Sequence, residues 1–122
     1  MSVRRKVVGI VDDDPSMLKA AGDLLDAHGL ANRKFASAEE FLNSAPGAQI
    51  DCLLLDIHLG GMSGIELRRY LKAEGSGLPV IFMTALDDEA THQQALSVGC
   101  ITCLRKPFAA RQLMDAIGNA IP

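Results

Sequence analysis

Along this chain, short apolar runs with no alternation trade places with longer stretches in which apolar residues recur every three to four positions. The first run is Lys6-Val7-Val8-Gly9-Ile10-Val11, and Met17, Leu18, Ala21, Leu24 and Leu25 then share one side of a helical period. That is a strand followed by a helix. Pro15 stands near the helix start, where its missing N–H costs little, and Gly29 after His28 is a natural stop. Leu30 to Phe35 reads as a poorer strand. Ser37-Ala38-Glu39-Glu40 has the capping-box pattern of a short helix that ends before Pro46-Gly47. Cys52-Leu53-Leu54-Leu55-Asp56 is apolar on both alternating sides, as a strand covered on two faces must be, so it belongs in the sheet centre.

Ser63-Gly64-Ile65-Glu66 is a second capping box, opening a helix with Leu67 and Leu71 inward that ends at Glu74-Gly75-Ser76-Gly77. Val80-Ile81-Phe82-Met83 is a fourth strand. Asp87 or Asp88 caps a helix running to Val98-Gly99, whose thin apolar face is Ala90, Ala95, Leu96 and Val98. Ile101 to Leu104 is a fifth strand, and Ala110, Leu113, Met114, Ile117 and Ile121 mark a last amphipathic helix. Five strand–helix units in strict alternation predict an α/β fold with a parallel sheet, helices on both faces and right-handed crossovers. No repeat or linker interrupts residues 1–122, so one domain is expected.

Composition narrows the function without changing this picture. The chain has 122 residues, 48% apolar and 22% charged, enough to fill a single core. Its 12 basic and 15 acidic residues leave a formal charge of −3, so no polybasic field for nucleic acid exists and direct DNA binding by these residues is not expected. There is no apolar run of membrane-spanning length, and a cytoplasmic location is the expectation. Cys52, Cys100 and Cys103 are odd in number and sit in apolar segments, which suits reduced core thiols better than a disulfide framework.

In such a sheet ligands bind beyond the carboxyl ends of the strands. Asp12, Asp13 and Asp14 follow the first strand, Asp56 ends the third, Thr84 ends the fourth and Lys106 follows the fifth. Carboxylates clustered on one rim repel each other unless a hard cation neutralises them, and Mg²⁺ prefers oxygen ligands with positions left for water or phosphate. Asp56 is then a candidate nucleophile toward phosphorus, because carboxylates form aspartyl-phosphates. Lys106 and Thr84 would meet the phosphoryl oxygens with an ammonium and a hydroxyl. Asp14 reads as an N-cap.

Four motifs in order carry a resemblance that covers essentially the whole chain. They are Val11-Asp12-Asp13-Asp14 with Pro15-Ser16-Met17, Leu54-Leu55-Asp56 with Gly61-Met62-Ser63-Gly64-Ile65-Glu66-Leu67, Met83-Thr84-Ala85, and Lys106-Pro107-Phe108. In these the chain resembles response regulator receiver domains of two-component signalling. The resemblance implies the three-layer, flavodoxin-like (βα)5 fold, a five-stranded parallel sheet in the order 2-1-3-4-5. It implies Asp56 as phosphoacceptor and a sensor histidine kinase or histidine phosphotransfer protein as donor. Mg²⁺ would be bound directly by Asp13 and Asp56, by Asp12 largely through water, and by the main-chain carbonyl of His58. A cis Lys106-Pro107 bond is implied too. The module would be a switch rather than an enzyme, with weak self-phosphorylation from small donors and autodephosphorylation. Its output would run through the face of the fourth helix, fifth strand and fifth helix, including homodimerisation, and the chain would suit the N-terminal receiver of a longer DNA-binding regulator.

Two positions depart from the family pattern. Cys103 stands where the family usually has a switch aromatic, and Gly60 stands where it usually has proline, which predicts a softer loop after Asp56. Cys100-Ile101-Thr102-Cys103 has C-x-x-C spacing, but residues three apart in a strand face opposite sides and no second pair is available for zinc. His28 and His92 read as ordinary helix residues, whereas His58, two positions after Asp56, would stand near the attacking or leaving water. A haloacid-dehalogenase-type phosphatase would want Asp-x-Asp at the first strand, yet the strand-three motif reads Asp56-Ile57-His58. A flavin or nucleotide carrier would want a glycine-rich phosphate loop, and none is present.

Overall fold

The computed structural model describes residues 5–44, 49–85 and 88–121. Five strands alternate with five helices: β1 Val7–Val11, α1 Pro15–Ala27, β2 Ala31–Phe35, α2 Ala38–Ser44, β3 Cys52–Asp56, α3 Gly64–Ala73, β4 Val80–Thr84, α4 Glu89–Val98, β5 Thr102–Arg105 and α5 Ala110–Ala120. The sheet order is β2-β1-β3-β4-β5, with every neighbour parallel. The expected architecture and strand order are therefore both present. The Pro46-Gly47 stop and the Asp87 alternative for a cap lie outside the described residues.

Alternation along the central strands sends side chains into two cores. Leu53 and Leu55 of β3 join Phe35, Phe41, Leu67, Phe82 and Val98 beneath α2, α3 and α4. Cys52 and Leu54 join Ile10, Leu25, Met83, Leu113 and Ile117 beneath α1 and α5. All five residues of β3 are buried, as its unbroken apolar run requires. Edge strand β2, paired with β1 alone, exposes Arg33 and Lys34 instead.

The caps follow the sequence closely. Asp14 accepts the Ser16 N–H at the start of α1, Ser63 and Glu66 form the capping box of α3, and Asp88 accepts the Thr91 N–H at the start of α4. Lys106-Pro107 is cis.

Beyond shifts of one residue at other strand ends, two helix faces and the start of β5 differ from the pattern reading. The buried stripe of α4 is Thr91, Ala95 and Val98, while Ala90 is exposed and Leu96 is 53% exposed. Positions i, i+4 and i+7 share a helix face, and Thr91 can be buried because its hydroxyl donates to Asp88 Oδ2 at 3.0 Å. Likewise α5 buries Leu113, Ala116, Ile117 and Ala120, and leaves Ala110 exposed. Strand β5 starts one residue later than the apolar run, because its register pairs Thr102 with Ile81 and leaves Ile101 40% exposed.

Candidate functional site

Each acidic residue reaches the rim for a local reason. β1 and β3 are adjacent and parallel, with Val11 opposite Leu55, so Asp12 and Asp56 emerge side by side at the carboxyl edge. Asp12 is fully buried and Asp56 is 6% exposed, while Asp13 is exposed. One carboxylate oxygen from each of Asp12, Asp13 and Asp56 lies within 4.8 Å of the others. Asp14 spends one carboxylate oxygen on its capping bond, 2.9 Å from the Ser16 N–H.

Lys106 comes from the loop after β5 and is aimed by its own backbone, whose N–H donates to the Thr84 carbonyl at 2.8 Å. Its Nζ lies 2.7 Å from Asp12 Oδ2 and 3.2 Å from Asp56 Oδ2. The other Asp56 oxygen accepts the His58 N–H at 3.1 Å, and Asp12 Oδ1 accepts the Asp14 N–H at 2.9 Å. Thr84 is buried at the end of β4, one residue beyond the Met83 that pairs with Asp56. Asp12, Asp13, Asp14, Asp56, His58, Ala85 and Lys106 line an open cavity of about 390 Å³. Asp12, Asp13, Asp56, His58 and Lys106 of the sequence-derived set thus line one cavity, while Thr84 ends the strand beside Asp56 and is not part of its lining. His58 lines the cavity and is itself exposed.

The electrostatics follow from this crowding. Burial pushes the Asp56 carboxyl up from its ordinary value, and the charge of Asp12 adds to this. The Lys106 charge and the bonds from His58 and Lys106 oppose it. Burial alone would pull Lys106 down. Its hydrogen bond to Asp12 and the charges of Asp56 and Asp12 outweigh that, and the ammonium is held above its usual range. Three carboxylates thus face one ammonium. The excess negative charge and the all-oxygen donor set suit a hard divalent cation of the Mg²⁺ kind.

Gly64 sets how closely α3 approaches this edge. A Cβ there would stand 2.2 Å from the Asp56 carbonyl oxygen, so only glycine lets the helix begin against the end of β3.

The cysteines need one correction. Cys100 precedes β5 rather than lying in it, so the opposite-faces rule does not apply, and both Cys100 and Cys103 pack half-buried against the core under α2, α3 and α4. Burial raises both thiols, and all three cysteines are free. Glu39 is the rim contributor that sequence reasoning missed. It reads there as part of a cap, but its Oε2 accepts the Met62 N–H at 2.9 Å, in the loop after Asp56. No local signal marks a contact between residues so far apart.

A family model for the response regulator receiver domain matches residues 8–118. The response regulator protein TodT of Pseudomonas putida is 36% identical over 121 residues, covering 99% of this chain and 53% of TodT. The transcriptional regulatory protein FixJ of Bradyrhizobium diazoefficiens is 34% identical over 112 residues, covering 92% of this chain and 55% of FixJ. The chain therefore spans about half the length of these curated relatives. Among solved structures, FixJ-N superimposes with a TM-score of 0.88 at 31% identity, over 97% of this chain and 94% of that one. The response regulator StyR gives a TM-score of 0.86 at 37% identity, over 97% of this chain and 60% of its own. Site geometry, fold and relatives agree, and the chain belongs to the response regulator receiver domain family of two-component signalling.

Proposed function

We propose that these 122 residues form a single receiver module that takes a phosphoryl group on Asp56 and acts as a switch, with no turnover of a small substrate. The observation that carries this is the Asp56 carboxylate, at the end of the central strand, with Lys106 Nζ at 3.2 Å and the Asp12 and Asp13 oxygens within 4.8 Å. A phosphohistidine of a sensor kinase or phosphotransfer protein is the donor: an Asp56 oxygen bonds to phosphorus, the P–N bond breaks, and the imidazole leaves with its electron pair. Asp12, Asp13, Asp56 and the His58 carbonyl would hold Mg²⁺, which would supply positive charge to offset that of phosphoryl oxygens. Lys106 supplies the other positive charge, exchanging a carboxylate contact for a phosphoryl one. The Thr84 hydroxyl, one residue past the neighbour of Asp56, closes on the same oxygens. Small phosphodonors load the site weakly, and water slowly empties it.

An apolar groove of about 200 Å³ lies between Met17, Ala20, Ala21 and Leu24 of α1 and the Pro107-Phe108 turn, and Lys106 lines both groove and site. A helix of the donor protein seated there would hold its histidine over Asp56. Output goes through α4, β5 and α5, where exposed Leu96 of α4, with exposed Ile101 just before β5, favours a second copy of the chain as partner. Because the matched relatives are about twice as long, the chain serves as the receiver half of a cytoplasmic transcriptional regulator whose DNA contacts lie elsewhere. No described helix is long and apolar enough to cross a membrane.

The test is intact mass after incubation with acetyl phosphate and Mg²⁺. One phosphoryl group should be added to the native chain and none to Asp56→Asn, whereas a mass gain that survives in Asp56→Asn overturns the assignment.

A further inference from the structure

The loop from Ile57 to Ser63 brings the His58 N–H to Asp56 and the Gly60 N–H to Asp13, so its rigidity bears on any cation held there. At its ends the Ile57 N–H donates to Met83 O at 2.9 Å and the Gly64 N–H to Ile57 O at 2.9 Å. Between them two contacts reach other elements. The Gly60 N–H points to Asp13 Oδ2 at 3.4 Å, and the Met62 N–H donates to Glu39 Oε2 at 2.9 Å.

The two glutamates of α2 divide the work. Glu40 serves its own helix end, accepting the Ala36 N–H at 3.1 Å while the Glu40 N–H donates to Ser37 Oγ at 3.0 Å. Glu39 reaches outward instead. Its carboxylate lies against Gly61, where an added Cβ would be 2.7 Å from Oε2 and where φ is +71°, so glycine is needed for both space and backbone. The Met62 bond holds the Glu39 carboxyl below its usual range.

We infer that Glu39 is a positioning residue for the cation site, clasping the Asp56 loop from outside so that Gly60 stays against Asp13 and His58 against Asp56. This rests on the reading of Asp12, Asp13 and Asp56 as a Mg²⁺ site. The clasp answers the flexibility of Gly60: a loop with glycine there loses more entropy on ordering, and a bond from a neighbouring helix offsets that loss. Glycine at this position also keeps the N–H that faces Asp13, which proline lacks.

Mg²⁺ titration by calorimetry, with amide exchange at Met62 measured in the absence of Mg²⁺, tests the clasp in Glu39→Ala, Glu39→Gln, Glu39→Ala with Gly60→Ala, and Asp13→Ala. Glu39→Ala should weaken Mg²⁺ about five-fold, since only part of the loss of one exposed charge-assisted bond reaches the metal, and speed Met62 exchange. Glu39→Gln keeps an acceptor oxygen and should stay within about two-fold. Position 60 has open space for a Cβ and no positive φ, so Gly60→Ala should restore part of the affinity lost in Glu39→Ala. Native Mg²⁺ affinity in Glu39→Ala, or equal losses in Gln and Ala variants, overturns the clasp. If Asp13→Ala binds Mg²⁺ like the native chain, the site reading itself falls; if Asp13→Ala loses the ion while Glu39→Ala does not, only the clasp falls.

Discussion

Gly64→Ala is the sharpest small perturbation that this structure offers. An ideal Cβ at residue 64 falls 2.2 Å from the Asp56 carbonyl oxygen, 2.9 Å from Ile57 Cα and 3.0 Å from the Asp56 carbonyl carbon. Ordinary non-bonded contact needs about 3.5 Å, so α3 must retreat from β3 by roughly 1 Å. All three neighbours are backbone atoms at the end of a strand buried throughout, and none can swing aside as a long side chain would. The retreat also stretches the Gly64 N–H to Ile57 O bond, now 2.9 Å, beyond bonding range. Overpacking against a rigid partner costs about 1–3 kcal/mol and the lost bond about 1 kcal/mol, so the variant should be less stable by about 2–4 kcal/mol. In a domain of this size that lowers Tm by about 10 °C. Urea unfolding followed by circular dichroism reads the change as a lower midpoint with an unchanged slope. Gly64→Ala with the native midpoint would show that the α3 start is soft and that the close approach carries no energy.

Further outcomes follow from the same geometry. Asp13→Ala should weaken Mg²⁺ roughly ten-fold or more while Asp14→Ala leaves it nearly unchanged, since only Asp13 contributes an oxygen to the cluster and Asp14 is spent on the Ser16 N–H; equal losses in a metal titration would contradict this. With beryllofluoride as phosphate mimic, amide shifts in α4 and β5 should indicate a partly populated active state in the native chain and a fuller one in Cys103→Tyr, because the half-buried Cys103 has less apolar area to bury. Matching shifts in both proteins would remove position 103 from the switch. Burial, with a smaller effect of the Asp51 charge, pushes the Cys52 thiol up to about 12. At pH 8 only about one Cys52 in ten thousand is then thiolate, and alkylation should reach it only on unfolding. Since its folded value lies above that of the free thiol, Cys52 favours the fold below about pH 8.5, and that contribution is lost as pH climbs toward the folded value. A urea midpoint that falls less above about pH 9 in Cys52→Ala than in the native chain would bear this out, and an equal fall would refute it.

Much of this protein is determined by local physics and so was open to sequence reading. Short unbroken apolar runs and period-3.6 patterns mark the strands and most of the helices, because both are local features of the chain. Caps at Asp14, Ser63 and Asp88 are bonds within three residues. The rim residues Asp12, Asp56, Thr84 and Lys106 were legible because each simply follows an apolar run, and parallel strands present their carboxyl ends on one edge. The strand order came from family motifs, since no pattern within one strand says which strand lies beside it. What tertiary packing alone decided involves partners distant in sequence. The buried stripe of α4 runs through Thr91 rather than Leu96, because the sheet beneath it, and no propensity, selects the face. Cys100 and Cys103 share one core because β5 begins after Cys100, a register set by β4. Lys106 neutralises Asp12 from 94 residues away, and Glu39 spends its carboxylate on Met62 as well as on its own N–H. Such contacts form only once loop closure brings the elements together, and nothing in the local sequence carries the distance between them.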